Sequence, residues 1–195
     1  METNFDRIRG RRRRDRAMAN FEHNAAADRG ETSTSGRVVN DQNGATGRAF
    51  VYGKYPASHN MCEVIAVHNA KVLLGAESTL SDTAARFQTT GAMIFAGFLG
   101  SNVYKIGRVL KSYGIKYKRI FRKKKLSEDG LYIISFWNRK PLKNGLHTVA
   151  AVRENGAFTV YNLYGNGKER REEGAGFAKR FITAYYLGKE EDGKE

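Results

Sequence analysis

The sequence contains one cysteine, two prolines and one tryptophan in 195 residues, and each scarcity closes off a class of protein. A single thiol forms no internal disulfide, so the fold must be held by a hydrophobic core, which fits a reducing, cytoplasmic setting. No apolar run reaches the roughly 18 residues that a membrane-spanning helix needs. The charged N-terminus is not followed by the apolar stretch of a secretory signal. Acidic residues are also few: 20 Asp and Glu stand against 34 Lys and Arg, a formal charge of +14. An excess of that size points to polyanionic partners, either nucleic acid or an anionic surface, or to an ordinary basic protein. With 41% hydrophobic residues the chain has enough apolar material for one domain with a real core.

The charge is unevenly placed. Residues 1–48 carry the run Arg11-Arg12-Arg13-Arg14-Asp15-Arg16 and a Gly/Ser/Thr-rich stretch, with sparse apolar residues of no sustained period. They read as a basic, disordered extension with a transient helix near 15–27, open to nucleic acid or anionic lipid or simply solvated. Residues 49–188 read as the folded domain and 189–195 as a charged tail. A second basic concentration lies inside the domain, where no acidic residue occurs between Thr83 and Ser127. Tyr104, Tyr113, Tyr117 and Phe121 interleave with its lysines and arginines, a composition shared by single-strand nucleic-acid surfaces and by plain solvated faces.

Periodicity divides the domain in two. Helical patterns cover the segment after Asn60 up to Gly75, then 81–89 with Ser81 or Asp82 as cap, then 102–113 ending at Gly114. Between the last two, the apolar, glycine-punctuated stretch 91–100 reads as core or as a loop lining a groove. From 115 onward the period becomes two, with strands expected at 115–121, 131–137, 147–153, 158–164 and 181–187. Asn155-Gly156 predicts a two-residue hairpin turn that sets Glu154 opposite Ala157 and, by extension, Val149 opposite Asn162. Helices followed by antiparallel strands argue an α+β domain.

The only cysteine, Cys62, follows Asn60, and Glu63 stands three residues after that asparagine, a variant capping box. Such a cap places the thiol at a helix start, where the dipole favours a thiolate. The plain alternative is that Cys62 is a small buried hydrophobe. A thiol nucleophile needs a base and an orienting group. His23 falls in the extension, and His68 is six residues beyond Cys62, on another face of the helix. His147 opens a strand and would lie diagonal to Asn162 at roughly 7–8 Å, within reach of a side-chain hydrogen bond that aims the imidazole at the thiol.

The segments Asn60-Met61-Cys62-Glu63-Val64-Ile65-Ala66, Gly145-Leu146-His147-Thr148-Val149-Ala150 and Phe158-Thr159-Val160-Tyr161-Asn162 resemble the papain-like cysteine peptidases. The likeness is nearest to the bacterial double-glycine leader peptidases that process bacteriocins. It implies a papain-like α+β fold in which helices carrying Cys62 pack on an antiparallel sheet carrying His147 and Asn162. It further implies a thiol-dependent hydrolase, or an acyl transferase, acting on a peptide or amide bond through a thioacyl intermediate. Cys62 would be the nucleophile, His147 the general acid/base and Asn162 the orienting residue, with no metal or other cofactor. Pro56 stands where the family carries an oxyanion-binding glutamine, so the oxyanion would rely on the Cys62 N–H with Asn60 or His59. The expected partner is a peptide or protein substrate, acidic where it meets the basic surface. The alternatives are a papain-like domain that binds peptide without cleaving it, and a nucleic-acid-binding protein with inert Cys62.

Overall fold

A computed structural model describes residues 4–138, 145–165 and 167–188. In chain order it contains α1 (Arg11–Asp28), α2 (Ala45–Ala49), β1 (Val51–Tyr52), β2 (Tyr55–Pro56), α3 (Ala57–Asn60), α4 (Cys62–Leu73) and α5 (Leu80–Thr89). Then follow α6 (Ile106–Ser112), β3 (Lys118–Ile120), β4 (Gly130–Trp137), β5 (Leu146–Glu154), β6 (Ala157–Tyr161), β7 (Arg170–Glu173) and β8 (Arg180–Tyr186). The expected tail, 189–195, lies outside the described residues. The strands from β3 onward form a sheet of order β3-β8-β4-β5-β6-β7 in which every neighbour is antiparallel, so the chain is α+β as its pattern predicts.

The sheet takes its register from the hairpin turn. Asn155 and Gly156 sit at φ 49° and 89°, the two positive values that a type I′ turn requires and that asparagine and glycine tolerate. Glu154 therefore faces Ala157, and Ala150 faces Tyr161. β4 lies between β5 and β8 and is buried at every position except Trp137. Both of its faces are covered, which divides the core in two. Leu131 and Ile133, with Tyr185, join the helical core of Val64, Ile65, Leu80, Phe87 and Leu110. Tyr132, Ile134 and Phe136 face the other way, with Val149, Ala151, Phe158, Val160 and Leu163.

α4 is the central element of the first core and is buried from Cys62 to Lys71. Val64, Ile65 and Val67 have no exposed surface, and burying each contributes roughly 1.5–3 kcal/mol. Gly75, at φ 72°, follows the helix in the left-handed conformation that ends it. The cap of α5 differs from expectation, because the Thr79 hydroxyl, rather than Ser81 or Asp82, accepts from the Asp82 N–H.

The segment 4–48, expected to be an extension with at most a transient helix near 15–27, is joined to the domain from Ala17 onward, while most of residues 4–16 are exposed. α1 lies against α5 through a stripe of Ala17, Asn20 and Asn24. The amide of Asn24 donates to the Val51 carbonyl at 2.9 Å and accepts from the Val51 N–H at 2.8 Å. Asn20 donates to the Gly53 carbonyl, and Asp28 accepts from the Ser81 N–H at the start of α5. Asn69 on α4 repeats the two-bond contact with Val39. His68 is buried and bonded to the Arg37 carbonyl and the Ser78 hydroxyl. These polar contacts provide what apolar periodicity does not show. Within the arginine run, Arg14 pairs with Asp6 at 2.9 Å and Arg11 approaches Asp15 at 3.9 Å.

Candidate functional site

A groove of about 1320 Å³ runs between the 94–104 segment and the ends of β4, β5 and β8. Ile94, Phe98, Leu99 and Tyr104 form one wall, and Trp137, Leu146 and Ile182 line the other. Cys62, Glu63 and Asn60 lie along the floor, with His59 at the rim. Phe98, Leu99 and Tyr104 remain 54%, 55% and 53% exposed. Contiguous large apolar side chains left this exposed are uncommon on the surface of a monomeric protein.

The loop wall is built by close backbone approach. Gly53 and Gly97, at φ 67° and 91°, let the β1–β2 turn and the 94–97 backbone touch: a Cβ on Gly53 would lie 2.0 Å from the Ala96 carbonyl oxygen. Lys54 donates its N–H to that same oxygen at 3.0 Å. The Asn60 amide donates to the Gly97 carbonyl and ties the loop to the floor. The glycine-punctuated stretch is thus the groove loop, one of its two sequence readings.

Cys62 is the first residue of α4, one position earlier than the capping-box reading places it. Met61 is the cap residue and makes no side-chain bond to the helix start. α3 leads directly into this turn, with Met61 N–H bonded to Ala57 O and Ile65 N–H to Met61 O. Asn60 and Glu63 therefore do not form the predicted box, and both side chains turn to the groove floor. The thiol donates to the Leu146 carbonyl, with sulfur and oxygen 3.8 Å apart. Burial pushes the Cys62 thiol well above its ordinary value, the Glu63 carboxyl adds to the rise, and the Thr148 N–H facing the sulfur offsets part of it. This direction runs against the thiolate expected at a helix start. Burial also pushes Glu63 up to about 8, although its own N–H, the Cys62 thiol and the Ser101 N–H donate to the carboxyl and offset part of the rise. Glu63 and Asn60 are 2% and 5% exposed, yet Glu63 Oε2 and Asn60 Oδ1 have no hydrogen-bond partner among the described residues.

His147 does not meet the thiol. It pairs across the sheet with Phe136, the two rings are edge-on at 5.8 Å, and Phe136 belongs to the core on the sheet face away from α4. The α4 side of β5 is given instead to Leu146 and Thr148, whose hydroxyl bonds that of Ser135 at 3.0 Å. Successive side chains on a strand point to opposite faces, so the imidazole and the groove floor are separated by the sheet. Burial pushes the His147 imidazole below its ordinary value.

Asn162 does approach His147, but by its backbone. Its carbonyl accepts from His147 Nε2 at 2.8 Å. The chain leaves the ladder after Tyr161, and Asn162 adopts φ 60°, which turns its side chain away from the expected diagonal. The side-chain amide donates to Gln42 Oε1 at 2.9 Å and accepts from the Gln42 N–H at 3.4 Å, while the Asn162 N–H bonds Asn40 Oδ1. Gln42 in turn donates to the Ala57 carbonyl, so Asn162 clasps the N-terminal segment between the sheet and α3.

The oxyanion candidates fare differently from expectation as well. One N–H of the Asn60 amide is bonded to the Gly97 carbonyl, which fixes the side chain to the groove loop, and its Oδ1 is left without a partner among the described residues. His59 stacks on Tyr55 at 5.0 Å, beside Phe98. The structure therefore gathers Cys62, Glu63, Asn60 and His59 at one groove and sets His147 with Asn162 elsewhere. Sequence reasoning assigned Glu63 to a cap. The available signal was a carboxylate within the otherwise apolar run from Val64 to Val67 and Cys62. No protein-family model matches the chain, and comparison with curated proteins finds no match. Among the described residues no helix is long and apolar enough to cross a membrane, and no cluster of three His, Cys, Asp or Glu is placed to hold a metal ion.

Proposed function

We propose that the chain is a papain-like domain that binds an extended, apolar peptide segment in the groove over Cys62 without cleaving it. The observation that carries this reading is the groove itself, with apolar walls and a floor holding two buried polar atoms that lack partners among the described residues. Buried polar atoms are normally hydrogen-bonded. A peptide backbone carries both N–H and C=O groups, so it can donate to Asn60 Oδ1 and pair with the protonated Glu63 carboxyl while its side chains fill the walls; an acyl chain carries neither. Separation of His147 from Cys62 argues against hydrolysis through a Cys-His-Asn triad, because a base must lie within hydrogen-bond reach of its nucleophile.

A second reading, a thiol-dependent hydrolase, draws support from one observation: the thiol stands at the first turn of α4 on the groove floor, faced by the Thr148 N–H. One experiment separates the two. A fluorescein-labelled nonapeptide rich in leucine and valine is titrated with the wild-type chain and with Leu99→Asp, and the peptide is then weighed by mass spectrometry. The binding reading expects saturable binding weakened roughly tenfold or more by the loss of one apolar contact, with the peptide intact. A cleaved peptide establishes the hydrolase. Equal affinity in both proteins, or no binding, removes the groove reading.

A further inference from the structure

Next to the groove lies a second cleft of about 730 Å³, bordered by Arg119, Arg122, Lys124 and Lys125, with the Lys118 and Glu128 pair also on its lining. The two share a wall. The Arg119 guanidinium sits 4.9 Å over the ring of Tyr104, which lines the groove, and 4.7 Å over the ring of Phe121, which lines the cleft. Arg119 thereby joins apolar and basic surfaces, and its buried Nε has no hydrogen-bond partner. Lys118 is engaged by Glu128 at 2.8 Å, whereas Arg122, Lys124 and Lys125 are exposed and make no ion pair among the described residues.

We propose that this cleft receives acidic residues flanking the apolar segment held in the groove, so the ligand is a peptide with an apolar stretch beside a short acidic one. The inference rests on the groove reading above and adds the chemistry of the ligand's flank. Charge complementarity selects an anion. Continuity with the apolar groove selects a peptide over a nucleic acid, because only a peptide brings apolar side chains and carboxylates on one chain. The cleft also meets the apolar groove at the shared Arg119, Tyr104 and Phe121 wall, so a chain with apolar residues beside acidic ones can run from one into the other.

The test uses the full chain and the nonapeptide of the groove experiment, alone or extended by four glutamates at either end. Polarisation titrations are made at 0.05 M and 0.5 M sodium chloride, with the wild type and with the surface variant Arg122→Gln/Lys124→Gln/Lys125→Gln. A glutamate extension at one end is expected to tighten binding by about tenfold at low salt, as exposed charge pairs allow. The gain should vanish at high salt and in the triple variant, while the unextended peptide binds both proteins alike. Binding of the unextended peptide with no gain from glutamates at either end overturns this proposal and leaves the groove reading standing. Failure of the unextended peptide to bind overturns the groove reading itself. An oligothymidylate probe whose affinity drops in the triple variant, with no gain from the glutamates, would make the cleft a nucleic-acid surface and likewise overturn the proposal.

Discussion

Glu63→Gln tests the electrostatics of the groove floor without changing its shape. The carboxyl is 2% exposed and held up to about 8, against an ordinary 4.5. In the unfolded chain it ionises near its ordinary value, while in the folded chain it keeps its proton until near pH 8. Between these points the folded state binds more protons, so this group's contribution to stability is full below pH 4.5 and declines as pH rises to about 8. At ~1.36 kcal/mol per pH unit the decline amounts to about 5 kcal/mol, an upper value because water entering the groove screens the charge. Glutamine keeps an acceptor for the Ser101 N–H and does not ionise. Urea unfolding of both proteins from pH 4.5 to 9 should give a stability difference that grows in favour of Glu63→Gln by several kcal/mol, most of it by pH 8. Taking the difference cancels the other titrating groups. Parallel stability curves across this range would refute a buried, protonated Glu63.

Three further outcomes follow from the same contacts. Asn24→Ala removes both bonds to Val51 at a fully buried position and should lower unfolding free energy by about 2–3 kcal/mol in urea; an unchanged midpoint would mean α1 is not docked. Asn162→Ala loses the Gln42 contacts and a left-handed residue, and should destabilise by about 2–4 kcal/mol, whereas Asn162→Gly, which keeps the backbone conformation, loses less. Equal losses in calorimetry would contradict the backbone argument. Burial holds His68 and His147 below the ordinary value of 6.5, so the unfolded chain binds protons more readily and stability should rise with pH toward 6.5. His147→Phe should flatten that slope, read from melting temperatures between pH 5 and 7.

How much of this was legible in the sequence depends on what kind of physics each element uses. The Asn155-Gly156 turn fixed β5 against β6 because its chemistry is local, and glycines 75 and 114 marked helix ends for the same reason. β7 escaped notice because Arg170–Glu173 is four charged residues on a sheet edge, with no alternation to read. α1 reads in the sequence as only a transient helix within a disordered extension because its buried stripe is asparagine and alanine, held by bonds to backbone groups about 30 residues away. The placing of His147 failed for a different reason. Val149, Ala150 and Ala151 are all buried, so β5 has no polar face to tell which side carries α4. The predicted register of Asn162 was sound as far as Tyr161, and the backbone then turned at a positive φ that alternation cannot foresee.

The most direct measurement of the central claim, that Cys62 stands on the groove floor as a neutral thiol apart from His147, is the pH dependence of its alkylation by iodoacetamide. The wild type, His147→Ala and the denatured chain are compared. The account predicts a native thiol that reacts more slowly than the denatured one at every pH below about 9, with no inflection near neutrality and no effect of His147→Ala. An inflection well below ~8.5, the free-thiol value, that moves upward in His147→Ala would contradict it and establish an activated Cys-His pair.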